Sequence, residues 1–151
     1  MTLIFLRVAL LACAALWPPA HAAGPQAGAR THAQNYKDMV LATCMAQAYR
    51  DDTGAAADAG SSVSALRDWT YYDLDRSPDA VAALVARYLA RDYRNPLVEA
   101  EIPGVRFDLL KCLDLYHSRE LDELAGKLVI EPHRTFRATP ATPSTPAANA
   151  K

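Results

Sequence analysis

Residues 77–96 read SPDAVAALVARYLARDYRNP. Ser77 stands where a helix cap is wanted. Pro78 suits the first helical position, where its missing N–H would be unpaired in any residue. Asp79 opposes the positive end of the helix dipole. Val81, Leu84, Val85, Tyr88 and Leu89 then fall at i, i+3, i+4, i+7 and i+8, one apolar stripe on a 3.6-residue period. Asn95-Pro96 stops the helix, because a residue before proline avoids helical geometry.

The same period extends in both directions. Over 33–50, Tyr36, Val40, Cys44 and Ala48 share a face with Met39 beside them. Residues 52–69 are rich in Ala, Gly and Ser, so their period is faint. They are read as a close-packing helix with a possible break at Gly60-Ser61-Ser62. Residues 69–75 form a connector dense in aromatics and acids. Residues 95–104 are expected to be a loop. A further helix is expected over 105–116, with Leu109, Cys112, Leu113 and Tyr116 on one face and Leu110 and Leu115 off it. An apolar surface on more than one side suggests a central position or a second contact surface. Ser118 caps a last helix, which carries Glu120 and Asp122 in its first turn and Leu121, Leu124, Ala125 and Leu128 on its buried face. Only 127–130 is ambiguous with a strand. The fold class is all-α, a compact bundle of about five helices over 33–131.

The ends have a different composition. Residues 1–22 carry Arg7, then the apolar run VALLACAALW, then Pro18-Pro19 and Ala20-His21-Ala22. That is the order of a secretory signal peptide with cleavage after Ala22. The run is too short to cross a bilayer, which takes ~20 apolar residues. The chain is therefore expected in the periplasm, with no membrane insertion after cleavage. Leu10-Leu11-Ala12-Cys13 leaves a lipoprotein variant open. Residues 23–32 read as a small-residue, mobile leader. Residues 132–151, PHRTFRATPATPSTPAANAK, read as an extended low-complexity tail.

Composition narrows the function. Net charge is −1, and −2 once Arg7 leaves with the signal. Nucleic-acid binding needs a Lys/Arg surplus that is missing here. Two cysteines survive cleavage, Cys44 and Cys112. In an oxidising compartment two buried helical cysteines are expected to pair, the alternative being two separate buried thiols. A Cys44 nucleophile with His117 or His133 would supply the residue types of a hydrolase, but no nucleophile motif surrounds it. His32, His117 and His133 are too scattered for a metal, and no cofactor is expected. The carboxylate pairs Asp51/Asp52, Asp73/Asp75 and Glu99/Glu101 suit solvated loop ends better than a glycosidase cleft. Two features could belong to an interface. One is Trp69, Tyr71 and Tyr72 among acids, which also suits a core plug. The other is the stripe Arg87, Arg91 and Arg94, which also suits a solvated face.

The string KCLDLYHSREL at 111–121 adds a resemblance. With Tyr36-Lys37-Asp38, CMAQAY at 44–49 and Arg87-Tyr88-Leu89, it resembles the type VI secretion amidase immunity family over about 35–129. The resemblance implies a small all-α periplasmic homodimer, not an enzyme. Such proteins bind a secreted papain-like peptidoglycan amidase injected by neighbouring bacteria. They block its cleft, and two immunity subunits hold two amidases. It also implies that Cys44 and Cys112 stand where the family has its cysteine pair. The string itself suits fold or dimer packing. For the effector contact the first candidate is the 94–102 loop with Arg94, Asn95, Glu99 and Glu101, stiffened by Pro96. Tyr71, Tyr72 and Asp73 are the second. The alternatives are an inhibitor of another wall hydrolase and a small cysteine hydrolase.

Overall fold

A computed structural model describes residues 24–138. Residues 1–23, with the expected signal peptide and Cys13, and residues 139–151 of the expected tail lie outside the described residues. Six α-helices form the body: α1 His32–Ala48, α2 Thr53–Arg67, α3 Ser77–Leu89, α4 Pro96–Glu101, α5 Asp108–Tyr116 and α6 Arg119–Leu128. Short 3-10 turns at Gln26–Ala29 and Phe136–Ala138 flank them. Among the described residues there is no strand, only the isolated bridges Thr31–Thr135 and Tyr72–Val129. None of the described helices is long and apolar enough to cross a membrane.

α1 is the axis of the bundle. It packs against α2, α3, α5 and α6. Tyr36, Met39, Val40 and Cys44 are buried along it, as their spacing requires. Its start is fixed by a reciprocal cap. Thr31 Oγ1 accepts from the Gln34 amide at 3.2 Å, and Gln34 Oε1 accepts from the Thr31 amide at 2.9 Å. α2 runs unbroken through Gly60-Ser61-Ser62. Ser61, Ser62 and Ser64 donate back to carbonyls four residues earlier, and the Asp52 carboxylate caps the helix at Gly54 and Ala55.

α3 buries the expected Val81, Leu84, Val85 and Tyr88. Ser77, however, does not cap it. Ser77 is already helical, and its hydroxyl meets the Tyr36 hydroxyl at 2.7 Å in the core. The turn before α3 is held by the Asp73 carboxylate, which accepts from the Asp75 and Arg76 amides. α6 matches its reading, with the Ser118 hydroxyl accepting from the Leu121 amide. The ambiguous 127–130 stretch ends α6 and then pairs Val129 with Tyr72.

α5 departs from its reading. It buries Lys111, Cys112 and Leu115, while Leu109, Leu110 and Leu113 stay exposed. Two attachments set this rotation. Cys112 is bonded to Cys44 on α1, with the Cα atoms 5.7 Å apart. Lys111 donates to the Leu89 carbonyl at the end of α3 and to Asp108, so its charge is paired where it is buried. Periodicity alone cannot foresee a lysine turned inward.

The flanks also differ from the leader and tail read in the sequence. Ala27 and Gly28 are buried. The amides of His32 and Ala33 donate to the carbonyls of Arg134 and Pro132 at 2.8 and 3.1 Å. Asn35, fully buried, donates to the carbonyls of Ala27 and Trp69. Backbone hydrogen bonds therefore order 26–32 and 132–138 against each other, which composition does not reveal.

Candidate functional site

The stretch expected to be a loop contains a helix. α3 ends at Leu89, before the Asn95-Pro96 expected to stop it, and Asn95-Pro96 instead starts α4, since Asn is a good cap and Pro a good first residue. Asn95 Oδ1 accepts from the Leu97 amide, and Glu99 Oε1 accepts from the Asn95 amide, each at 3.2 Å. The Ile102 amide closes the last turn on the Val98 carbonyl at 2.8 Å. Gly104 then takes the left-handed conformation at φ 78°, which suits glycine. Phe107 takes it at φ 53°, at a cost of ~1–2 kcal/mol for a residue with a side chain.

α4 has no buried residue and packs substantially against no other helix. Leu97 is 82% exposed and Ile102 57%. The element is nonetheless fixed at both feet. On the entering side the Tyr93 hydroxyl donates to Asp114 of α5. That bond favours the neutral phenol and, with some burial, holds the Tyr93 pKa above its usual value. On the leaving side Arg106 pairs with Asp108 at 2.8 Å, and Asp108 pairs with Lys111. α5 is itself bonded to α1 through Cys112. α4 is thus a short capped projection on a rigid base.

An open apolar groove lies beside it, a cavity of about 580 Å³. Tyr49, Val105, Phe107, Leu109, Leu110 and Leu113 line it. Leu109 and Leu113 are expected on the face of Cys112 and Leu110 off it, beside Leu115; instead Leu115 is buried with Cys112 and the three other leucines form the exposed face.

The candidate residues fall into two places. Arg94, Asn95, Glu99 and Glu101 stand on or beside α4. Arg94 pairs with Asp92 at 2.8 Å, and Asn95 and Glu99 are engaged in capping. Tyr71, Tyr72 and Asp73 stand before the other end of α3. A helix of thirteen residues separates the sets by roughly 20 Å. The two sets therefore do not form one site. Tyr72 is buried and meets Tyr36 edge-on at 5.4 Å, a core plug. Asp73 holds its turn. Only Tyr71 of that set is open, stacked on Phe136 at 6.5 Å.

The bare side chains of the projection, Leu97 and Ile102, are not among the residues that sequence reasoning selects. A signal exists. Asn-Pro followed three residues later by a Glu is a helix start, and leucine and isoleucine without a core partner are what it displays. The arginine stripe is locally satisfied. Arg87 pairs with Glu120 at 3.0 Å, and Arg91 lies over the Tyr88 ring at 3.5 Å. Cys44, bonded to Cys112, offers no thiol to a histidine.

Known proteins share this architecture. The profile of the type VI secretion system amidase immunity proteins, Tai4, matches residues 34–125. No match is found among curated proteins. One similar solved structure comes from work on new type VI-secreted toxins and self-resistance proteins in Serratia marcescens. It is 27% identical with a TM-score of 0.65, over 78% of this chain and 95% of that one. Another is from the Tae4/Tai4 effector–immunity system of Salmonella typhimurium. It is 22% identical with a TM-score of 0.59, over 70% of this chain and 96% of that one, a likeness of fold.

Proposed function

Because the chain belongs to the type VI secretion system amidase immunity family, we propose that it binds a secreted papain-like peptidoglycan amidase and occludes its active-site cleft. The cell that makes it would thereby keep its own wall intact. The observation that carries this reading is α4. A cleft is filled at low entropic cost by an element ordered before binding, and α4 is capped, footed at both ends and exposes Leu97 in its first turn and Ile102 at its end. Leu97 and Ile102 would enter the cleft. Arg94 and Glu101 would meet its rim, and Asn95 and Glu99 would keep the projection in shape. The signal peptide read at 1–22 would place the protein in the periplasm, where the wall is.

We further propose a homodimer through the exposed α5 leucines. Unpartnered leucines on an ordered helix are what a second copy would cover. Leu110→Glu with Leu113→Glu should convert a dimer to a monomer in sedimentation equilibrium. An unchanged dimer places the contact elsewhere, and a monomeric wild type removes it.

The deciding experiment is co-purification with a papain-like amidase, followed by an assay of peptidoglycan cleavage. A stable complex with lost cleavage supports the reading. Leu97→Asp should then restore cleavage while leaving the fold intact. With an active amidase, no complex and undiminished cleavage would defeat the pairing and favour another wall hydrolase as the target.

A further inference from the structure

A second hollow plays no part in the inhibitory reading. It lies where α1, α2 and α3 meet and has a volume of about 290 Å³. Met39 of α1, Val63 of α2 and Val81 of α3 give it apolar walls. Liquid water takes about 30 Å³ per molecule, so the space equals roughly ten waters. That is far more than one bridging water needs, and it suits a ligand of fewer than about ten non-hydrogen atoms.

Ser77 also lines the hollow and is 2% exposed. Its hydroxyl lies 2.7 Å from that of Tyr36, and neither side chain has another hydrogen-bond partner among the described residues. Two hydroxyls carry two protons, and their mutual bond uses one. The phenol is the stronger acid and donates, which leaves the serine proton over. Only Ser77 of the pair lines the hollow, so the spare proton can be offered into it. A buried donor without an acceptor is costly, and this one calls for an acceptor in that space.

The rim carries a cation. Arg67 stands exposed in the last turn of α2, and its guanidinium has no hydrogen bond or ion pair among the described residues. Arg87 and Arg94, by contrast, each have a carboxylate partner. The Gln47 carboxamide, also on the lining, is equally uncommitted among the described residues. The Thr43 hydroxyl is not, being spent on the Met39 carbonyl at 2.8 Å. No carboxylate is among the lining side chains, so the charge of Arg67 is unbalanced there. Ser77 also opens α3, whose dipole favours negative charge at that end.

We propose that this hollow binds a small aliphatic carboxylate. The carboxylate lies between the Arg67 guanidinium and the Ser77 hydroxyl, and the hydrocarbon lies against Met39, Val63 and Val81. The guanidinium supplies a charge-assisted bond, and the serine proton gains the acceptor it lacks. A cation is repelled by Arg67, and an inorganic anion makes no use of the apolar walls. The hollow shares no lining residue with the α4 projection, so the proposal is independent of the amidase reading.

Nuclear magnetic resonance of the isotope-labelled full chain, titrated with isovalerate at neutral pH, tests it. The amides of Val63, Arg67, Ser77 and Val81 should shift and saturate, while those of 97–102 stay in place. Isovaleramide has the same body without the charge and should bind about tenfold more weakly. Arg67→Gln, at an exposed position that leaves the fold intact, should weaken isovalerate about tenfold and leave the amide unaffected. Ser77→Ala combined with Tyr36→Phe removes both hydroxyls, strands neither, and should weaken isovalerate as well. No saturable shift, equal binding of acid and amide, or indifference to either variant would overturn the site.

Discussion

α1 and α4 are built by opposite means. α1 has seventeen residues, and four helices pack around it. Burial holds it, and a covalent bond at Cys44 reinforces it. α4 has six residues and nothing buried. An isolated helix of that length is far below what is stable in water. Its order comes from the Asn95 and Glu99 caps, Pro96, and two feet planted on α5. A segment held in shape by local devices, with no residue fully buried, is the one proposed here to meet a partner outside the chain. That contrast separates the scaffold from the part proposed to act.

The largest effect should fall on the scaffold. Cys44→Ser with Cys112→Ser opens a link across 68 residues. In the chain-entropy account this costs about 4 kcal/mol, to be read from calorimetry or denaturant unfolding. Leu115→Ala, at a fully buried α5 position, should cost about 3 kcal/mol. The matching cut on the projection, Leu97→Ala, should leave stability within about 0.5 kcal/mol, being so exposed. It should instead weaken amidase inhibition about thirtyfold, the scale of a central interface anchor. A Leu97 variant that unfolds the protein, or inhibits as well as wild type, would break the contrast.

Asn95→Ala should sharpen it. Losing the cap costs about 1 kcal/mol, confined to α4. Faster amide exchange over 97–102, unchanged melting and weaker inhibition are expected together. The smallest effect concerns pH. Burial raises the Tyr36 phenol above its usual 10, against the lowering influence of the Ser77 hydroxyl. The folded state thus favours the neutral phenol. The stability this gives is complete below pH 10 and is lost as pH rises through the raised value. Tyr36→Phe removes that loss, so denaturant midpoints on either side of pH 10 should differ less in the variant. An equal difference would assign the alkaline limb to other groups.

Helices α1, α3 and α6 are legible in the sequence because each buries a simple stripe over ten residues or more. α5 is misread there because one buried lysine and one disulfide choose its face, and neither is a matter of period. The 94–102 segment stands out in the sequence, but by its charges. Asn95 and Glu99 prove architectural, and the bare residues are Leu97 and Ile102. Exposure depends on what fails to pack nearby, which a linear pattern does not record. Tyr72 shows the converse: an aromatic beside acids has the look of an interface and is core.

The pairing of 32–33 with 132–134 brings the two ends of the described chain together at one pole. Pulled from its ends, the molecule would yield there first, by unzipping the His32–Arg134 and Ala33–Pro132 hydrogen bonds one after the other. Force passing inward along α1 would then meet Cys44 and cross to Cys112 through the covalent bond. Everything between those residues, including α3 and the α4 projection, would hang outside the line of tension. The protein could be stretched at its flanks while the element proposed to meet a partner kept its form.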